Sequence, residues 1–506
     1  MRCTTGLFAL ILASAGCGEA PPPETEPGNT AAIARRLPNV VLIFVDDMGT
    51  EIGAYGDPVV QTPNIDRLAN EGVLFERAYT VTPSCSASRA ALLTGRYPHT
   101  NGVMSLIQWH KKREDGRLVP ELLERTRRHS LKHDEILLSQ HLKRLGYRTG
   151  ILGKWHISLD PVTEWGFDEY WAEPEEFIPK HRDEPFFYYY APFHTHVPFW
   201  TSPEFVYDPS EIPVPPYFRD HPDLRADLAD YYSAISNQDQ EIGRILDTLD
   251  REGLADDTIV VFSSDNGPPY ARAKGTLYEW GIREPLLIRY PRELPPDTRT
   301  ETLATTVDVY PTILELLGQP IPERLQGASL VDAMKDPDAQ ARDAIFTELS
   351  FHALFNPMRS VRSTRWKYIR NFDPNAPFYT SLEALGLNLL ETPLPVPPRP
   401  REELYDLEAD PLESTNLAAS LEHAGTLVEL RQRLVDWMER TGDIPLAEAD
   451  TVTAATRDRG AWYGRPDDPA PNSRQPRPGL NWDIIKERLG FYAGVPEEAP
   501  EKEEQR

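Results

Sequence analysis

A cysteine and an arginine four residues apart, Cys85-Ser86-Ala87-Ser88-Arg89, stand where an extended approach gives way to a helix-compatible run from Ala87 to Thr94. At such a junction free backbone N–H groups and the positive end of the helix dipole converge on whatever the first side chain carries. One turn on, Arg89 lies over the same face and adds a fixed positive charge. The pattern is that of a reactive centre inside an anion-binding cup. Taken alone, Cys85 also fits an inert buried thiol, the ordinary fate of a lone cysteine among small residues. A cysteine-based phosphatase loop fits less well, because it places its arginine further along.

Three other segments put polar clusters just after apolar runs. NVVLIFV runs into Asp46-Asp47-Met48-Gly49, and TIVVFSS into Asp265-Asn266-Gly267. Each alone also reads as a turn. Together they offer three carboxylates and an amide oxygen, with no imidazole or thiolate among them. That is a hard-cation set, suited to Ca²⁺ or Mg²⁺ rather than zinc, and the more flexible Ca²⁺ shell better tolerates a loop-borne cluster. The third run ends in Gly153-Lys154-Trp155-His156; on an extended segment Lys154 and His156 point to one side. Alone, the pair fits a surface lysine and a packed histidine as well. His194 and His196, in FHTHVPF, follow another strand-like run, and Lys274 lies in the loop after Asp265-Asn266-Gly267.

These residues need a frame that brings strand ends together. From Asn39 onward, strand-like and helix-like segments alternate, which predicts an α/β domain on a large, mostly parallel sheet. Strands are expected at 39–45, 148–153, 186–190, 258–263 and 285–290. Helices are expected from Pro63, with Thr62 as N-cap, and at 137–145, 224–252 and 309–317. In such a sheet ligands gather at the carboxyl ends of the strands. After about residue 343 the pattern changes to strands at 344–349, 358–361, 366–370 and 403–407 and one helix at 426–440. These predict a smaller α+β subdomain with an antiparallel sheet. The expected divisions are 1–17, 18–37, 38–343, 344–445 and 446–506, with a Pro-rich loop over 374–400.

Composition narrows the function. The 506 residues carry a net charge of −26 with a pI near 4.9, so no basic stripe is available to a nucleic acid. A polyanionic substrate must be met by a local cationic pocket, since the global field repels it. Cys3 and Cys17 lie in the leader, which leaves Cys85 without a partner thiol. Arg2 and the apolar stretch Leu7 to Ala13 read as an export signal, and Ala15-Gly16-Cys17 resembles the end of a bacterial lipobox. Ala13-Ser14-Ala15 also fits simple cleavage. The expectation is an exported protein at the periplasm or cell surface, attached to the membrane through lipidated Cys17, with residues 18–37 as tether.

The ordered set DD, C-x-A-x-R with Leu93-Thr94-Gly95-Arg96, G-K-W-H, H-V-P, D-N-G and K resembles the sulfatase family of the alkaline phosphatase-like superfamily over roughly residues 38–440. The resemblance implies that Cys85 is oxidised to formylglycine by a formylglycine-generating enzyme and that its hydrate is the nucleophile. It implies that Asp46, Asp47, Asp265 and Asn266 hold Ca²⁺ with modified Cys85 as a further ligand. Arg89 and Lys154 would then stabilise the hydrate and the sulfuryl oxygens, His156 would take a proton from the second hydroxyl, and His196 and Lys274 would flank the leaving group. Glu51-Ile52-Gly53-Ala54-Tyr55, Leu277-Tyr278 and Asn356-Pro357-Met358-Arg359-Ser360-Val361 look more like sulfamidases, which implies a sulfated glycan of heparan type. Lys274 stands where sulfamidases tend to carry arginine, which keeps O-sulfate esters open, arylsulfatase-type substrates included. Phosphate or phosphonate monoester hydrolysis on the same fold, and glycan binding without turnover, are the alternatives.

Overall fold

Asn39–Val45 is buried along its whole length, as a strand covered on both faces must be. The computed structural model describes residues 36–107, 130–352, 355–376, 390–391, 394–395 and 398–443. The leader with Cys17, the tether up to residue 35, most of the Pro-rich loop and the tail from 446 lie outside the described residues. The chain divides into Met1–Leu37 and Pro38–Arg506, and every element below belongs to the second.

In chain order the strands are β1 (Asn39–Val45), β2 (Val73–Phe75), β3 (Ala78–Tyr79), β4 (Arg148–Gly153), β5 (Glu169–Tyr170), β6 (Phe186–Ala191) and β7 (Thr258–Ser264). There follow β8 (Leu286–Arg289), β9 (Thr298–Thr300), β10 (Ala304–Thr305), β11 (Ala344–Phe351), β12 (Phe355–Ser363), β13 (Trp366–Asn371) and β14 (Glu402–Asp406). Eight of them form one sheet in the order β5-β4-β6-β1-β7-β8-β2-β9. The run from β5 to β7 is parallel throughout. The expected strand at 285–290 does continue the sheet, but β8 runs antiparallel to both β7 and β2. A parallel return would need a crossover; the chain instead spends its connection on the loop beyond β7 and re-enters at the same edge. The short β2, β3, β5, β9 and β10 carry too few residues to show a period and were not anticipated.

Register places the chemistry. Asn39 pairs with Thr258 and Val45 with Ser264, so β1 and β7 end level and deliver Asp46 beside Asp265. Gly153 at the end of β4 pairs with Ala191 of β6. The helix Pro222–Arg251 buries Leu224, Leu228, Ile235, Ile242 and Leu249 in the core under the sheet. Its Asp239 accepts the N–H groups of Asn64 and Ile65 at 3.1 and 2.8 Å, capping the helix Pro63–Asn70 from outside. Thr62 holds the expected N-cap position, but its hydroxyl makes no cap bond: it accepts from Gly53 N–H at 2.9 Å and donates to Asp66. β11 to β14 form the separate antiparallel sheet, covered by Leu427, Leu430, Leu434 and Trp437 of the helix Ala424–Thr441. No helix among the described residues is long and apolar enough to cross a membrane.

Gly153 is where backbone sterics meet function. Its φ is +108°, and a Cβ there would lie 2.2 Å from the Ala191 carbonyl oxygen. That same oxygen accepts the Lys154 N–H at 2.8 Å. Gly153→Ala should therefore cost about 2 kcal/mol or more and dislodge Lys154. Urea unfolding checks it; an unchanged midpoint would contradict this account of the strand end.

Candidate active site

Four side chains from three separate elements converge at the carboxyl edge of the parallel sheet. A ligand atom from each of Asp46, Asp47, Cys85 and Asp265 lies within 4.8 Å of the others, and all four residues are buried. Cys85 is the first residue of the helix Cys85–Thr94, so the helix starts two residues before the anticipated Ala87 and its dipole acts on residue 85 directly. Asp47 has a left-handed backbone, φ 52°, which turns its N–H onto Asp265 Oδ1 at 3.1 Å. Asn266 donates its amide nitrogen to Asp47 Oδ1 at 2.8 Å, so its Oδ1 is left buried without a hydrogen bond.

Each carboxylate has its own cation. Arg89 Nη2 lies 2.7 Å from Asp265 Oδ2 and 3.4 Å from Asp46 Oδ1, Lys154 Nζ pairs with Asp46 Oδ2, and Lys274 Nζ with Asp47 Oδ2 at 2.7 Å. His196 Nδ1 bonds the Val197 carbonyl at 2.7 Å, so that Nδ1 carries the proton and Nε2 faces Asp47 Oδ2 at 3.9 Å. His156 is buried two residues past Lys154, but its φ of 58° breaks the expected extended segment. The two side chains are thus set by a left-handed turn and not by strand alternation. His194 is buried against Trp200, and burial pushes its pKa down to about 4.

Three residues escaped the sequence reading. Thr195 donates its hydroxyl to the Asp46 carbonyl, and Tyr231 donates to the Asp47 carbonyl at 3.2 Å. His352, just past β11, is buried; burial first, then Lys274 and His196, push its pKa down to about 3. Nothing in Ser350-Phe351-His352-Ala353 announces a site residue, because the contact is made across the fold.

The electrostatics are those of a cation site. Burial alone would raise Asp46, but Lys154, His196 and Arg89 outweigh it and hold that carboxyl well below the usual range. Burial pushes Asp47 up against Lys274, and burial with the Asp46 charge pushes Asp265 well up against Arg89. Three carboxylates this close resist full ionisation on monovalent partners alone. Asp46 Oδ1, Asp265 Oδ2 and Asn266 Oδ1 are buried acceptors with no well-formed hydrogen bond. An all-oxygen set of this kind fits a hard divalent ion. Burial also raises the Cys85 thiol well above its ordinary value despite Lys154 and Lys274, so the unmodified side chain stays protonated and inert.

Residues 38–176 and 172–319 match the family model Sulfatase, and residues 272–380 match N-sulphoglucosamine sulphohydrolase, C-terminal. Human N-sulphoglucosamine sulphohydrolase is 31% identical over 490 residues, covering 82% of this chain and 92% of that protein. An ulvan-active sulfatase of Formosa agariphila is 28% identical over 461 residues, covering 80% of this chain and 75% of that one. A solved structure of a protein in complex with its substrate D-Glucosamine-2-N, 6-O-disulfate has a TM-score of 0.63 at 20% identity, covering 82% and 100%; that likeness is one of fold.

Adding Ca²⁺ to chelator-treated protein should raise the melting temperature by mass action. Asp265→Asn or Asn266→Ala should abolish most of that shift. A parent protein whose melting ignores Ca²⁺ would contradict the assignment of the oxygen cluster.

Proposed function

The chain belongs to the sulfatase family of sulfuric ester and sulfamate hydrolases, and on that premise we propose that it removes sulfate from a sulfated glycan, a heparan-type glucosamine above all. The carrying observation is the buried cluster of Asp46, Asp47, Asp265 and Cys85 with one cation on each carboxylate. The match of residues 272–380 to a sulfamidase C-terminal model supports N-sulfate as the first substrate to try, with O-sulfate beside it.

Asp46, Asp47, Asp265 and Asn266 are the residues that would hold Ca²⁺, which supplies Lewis-acid charge to a sulfuryl oxygen and to the nucleophile. Oxidation of Cys85 to formylglycine by a formylglycine-generating enzyme, followed by addition of water to the aldehyde, would supply the hydroxyl nucleophile that a buried, protonated thiol cannot. Around that centre the protein's own groups divide the work. Arg89, fixed between Asp265 and Asp46 and over the Phe44 ring at 5.5 Å, keeps residue 85 in a positive field. Lys154 and Lys274 bring ammonium groups to the same carboxylates and can turn toward sulfuryl oxygens as charge develops there. His196, with Nδ1–H on a carbonyl, offers Nε2 for proton delivery to the departing nitrogen or oxygen. His156 serves as the base on the nucleophile side.

Release of sulfate from a panel of N- and O-sulfated glucosamines tests the reading, alongside aryl sulfate and aryl phosphate. Sulfated glucosamine should be turned over best, and the peptide containing residue 85 should carry an aldehyde in place of the thiol by mass spectrometry. Lys154→Ala and His196→Ala should each lower kcat/KM by about 100-fold or more. Dominant phosphate release, or a persistent thiol in active protein, would overturn the proposal.

A further inference from the structure

The buried cations account for the sulfuryl group, and the fold also builds a surface beside them for something uncharged. Among the described residues, six non-glycine positions adopt a left-handed backbone. Asp47 and His156 are two of them, and both lie in the site. A third is Trp171, φ 59°, the residue immediately after β5 on the same edge of the sheet. Holding a bulky residue there costs roughly 1–3 kcal/mol, and such strain persists only where its surroundings impose it.

Trp171 is packed against the main core as well as against the start of the segment that carries His196. Trp171 packs on Phe193, and so does Trp200 from the far end of the segment that carries His196. The Phe193 and Trp200 rings meet edge to face with centroids 4.7 Å apart, the His194 ring lies 5.1 Å from Trp200, and Tyr170 tilts against Trp171 at 4.7 Å. The segment is pinned at both ends. Trp200 N–H donates to the His194 carbonyl at 2.9 Å, and Asn237 of the long helix donates to the Trp200 carbonyl at 3.0 Å. Ser202 N–H reaches Ser233 Oγ at 3.1 Å, and the Thr195 hydroxyl grips the Asp46 backbone. Trp200 is therefore fixed in space relative to the metal-binding carboxylates, and both indoles keep part of their surface open. The result is an uncharged, partly open aromatic rim on the segment that carries His196.

We propose that Trp171 and Trp200 form a stacking platform for the pyranose ring that bears the scissile sulfate. This rests on the sulfated-sugar reading above and names how the ring itself is held. The C–H edge of a pyranose is electropositive and meets the electron-rich face of an indole favourably, with little entropy lost by a side chain already locked. The contact carries no charge, which matters on a chain of net charge −26 that attracts its anionic substrate only at the buried cations.

Full-length Cys85→Ala protein, which binds without turnover, is titrated calorimetrically with N-sulfoglucosamine and with inorganic sulfate. Adding Trp171→Ala or Trp200→Ala should weaken sugar binding about tenfold or more and leave sulfate binding within about twofold, with Trp200→Phe restoring most of the loss. Trp171→Leu and Trp200→Leu fill the space without a π face and replace alanine where it loosens the fold. Sugar binding indifferent to these changes, or sulfate and sugar affinity falling together, would overturn the platform. Turnover by protein with Cys85 intact separates the two readings. Sulfate release with tryptophan-independent binding sinks the platform alone, while tryptophan-dependent sugar binding without sulfate release sinks only the substrate reading. A parent that binds no sugar sinks both.

Discussion

Three carboxylates and three cations share the buried end of one sheet, and the rest of the structure is arranged to keep them there. Asp46, Asp47 and Asp265 are fully buried, as is Arg89, and Lys154 and Lys274 nearly so. Buried ions are costly unless paired with good geometry, and a lone survivor of such a pair is costlier still. The pairing is accordingly complete: no carboxylate shares its shortest contact with another's cation. Two backbone devices serve it. The left-handed turn at Asp47 lets one residue present its N–H to Asp265 and its carboxylate to Lys274, and the bare Cα of Gly153 lets β4 and β6 close on Lys154.

The antiparallel sheet is as much a part of this arrangement as the parallel one. Lys367 of β13 bonds Glu279 at 3.2 Å and Glu413 at 2.8 Å, Arg362 of β12 pairs with Glu279 at 3.1 Å, and Glu413 in turn accepts the Glu279 N–H at 2.6 Å. Burial would raise Glu279, but Arg362 and Lys367 outweigh it and keep the carboxyl ionised far below its usual range. This buried seam fixes the chain between Lys274 and β8. Gly275 N–H meets the Pro83 carbonyl at 3.0 Å, and Glu348 N–H of β11 meets the Val81 carbonyl at 2.9 Å. Both bonds steady the approach to Cys85. Lys274 is thus held by a sheet it does not belong to, which is why its loop position in the sequence gives no hint of rigidity.

What was legible in the sequence follows a simple physical division. Continuous apolar runs such as NVVLIFV must be strands covered on both faces, and the polar residues just past them must sit at the sheet's edge. Those local rules placed Asp46, Asp47, Lys154, His156, Asp265 and Asn266 at strand ends and Cys85 with Arg89 at a helix start, while His196 and Lys274 were singled out by the ordered resemblance to the sulfatase family. Non-local decisions were hidden. The antiparallel sense of β8 depends on where the chain re-enters the sheet, and Thr62 keeps the N-cap position while Asp239, 177 positions away, accepts the helix N–H groups because the long helix passes there. Trp171 and His352 gain their meaning from Phe193 and Lys274, neither a sequence neighbour.

The fold alone does not choose between sulfuryl and phosphoryl chemistry, so the choice falls to the donor set. A two-zinc phosphatase site needs imidazole and carboxylate ligands for a second ion. The other grouping of possible ligands among the described residues is His99, Glu348 and Asp443. There, Arg359 Nε takes Asp443 at 2.6 Å while its Nη2 lies 3.3 Å from Glu348, and His99 Nδ1 bonds Glu348 at 3.0 Å. Burial opposes the charge on His99, yet Glu348 overrides it and lifts its pKa. Both carboxylates are therefore neutralised by the protein's own cations, and a metal entering there would have to displace a buried guanidinium. In the cluster around Cys85, by contrast, Asp46 Oδ1, Asp265 Oδ2 and Asn266 Oδ1 carry no well-formed hydrogen bond, the first two meeting the shared Arg89 guanidinium as an ion pair. A buried cluster fit for one hard divalent ion beside Cys85, with no imidazole-rich second grouping of this kind among the described residues, suits a sulfatase better than a two-metal phosphatase.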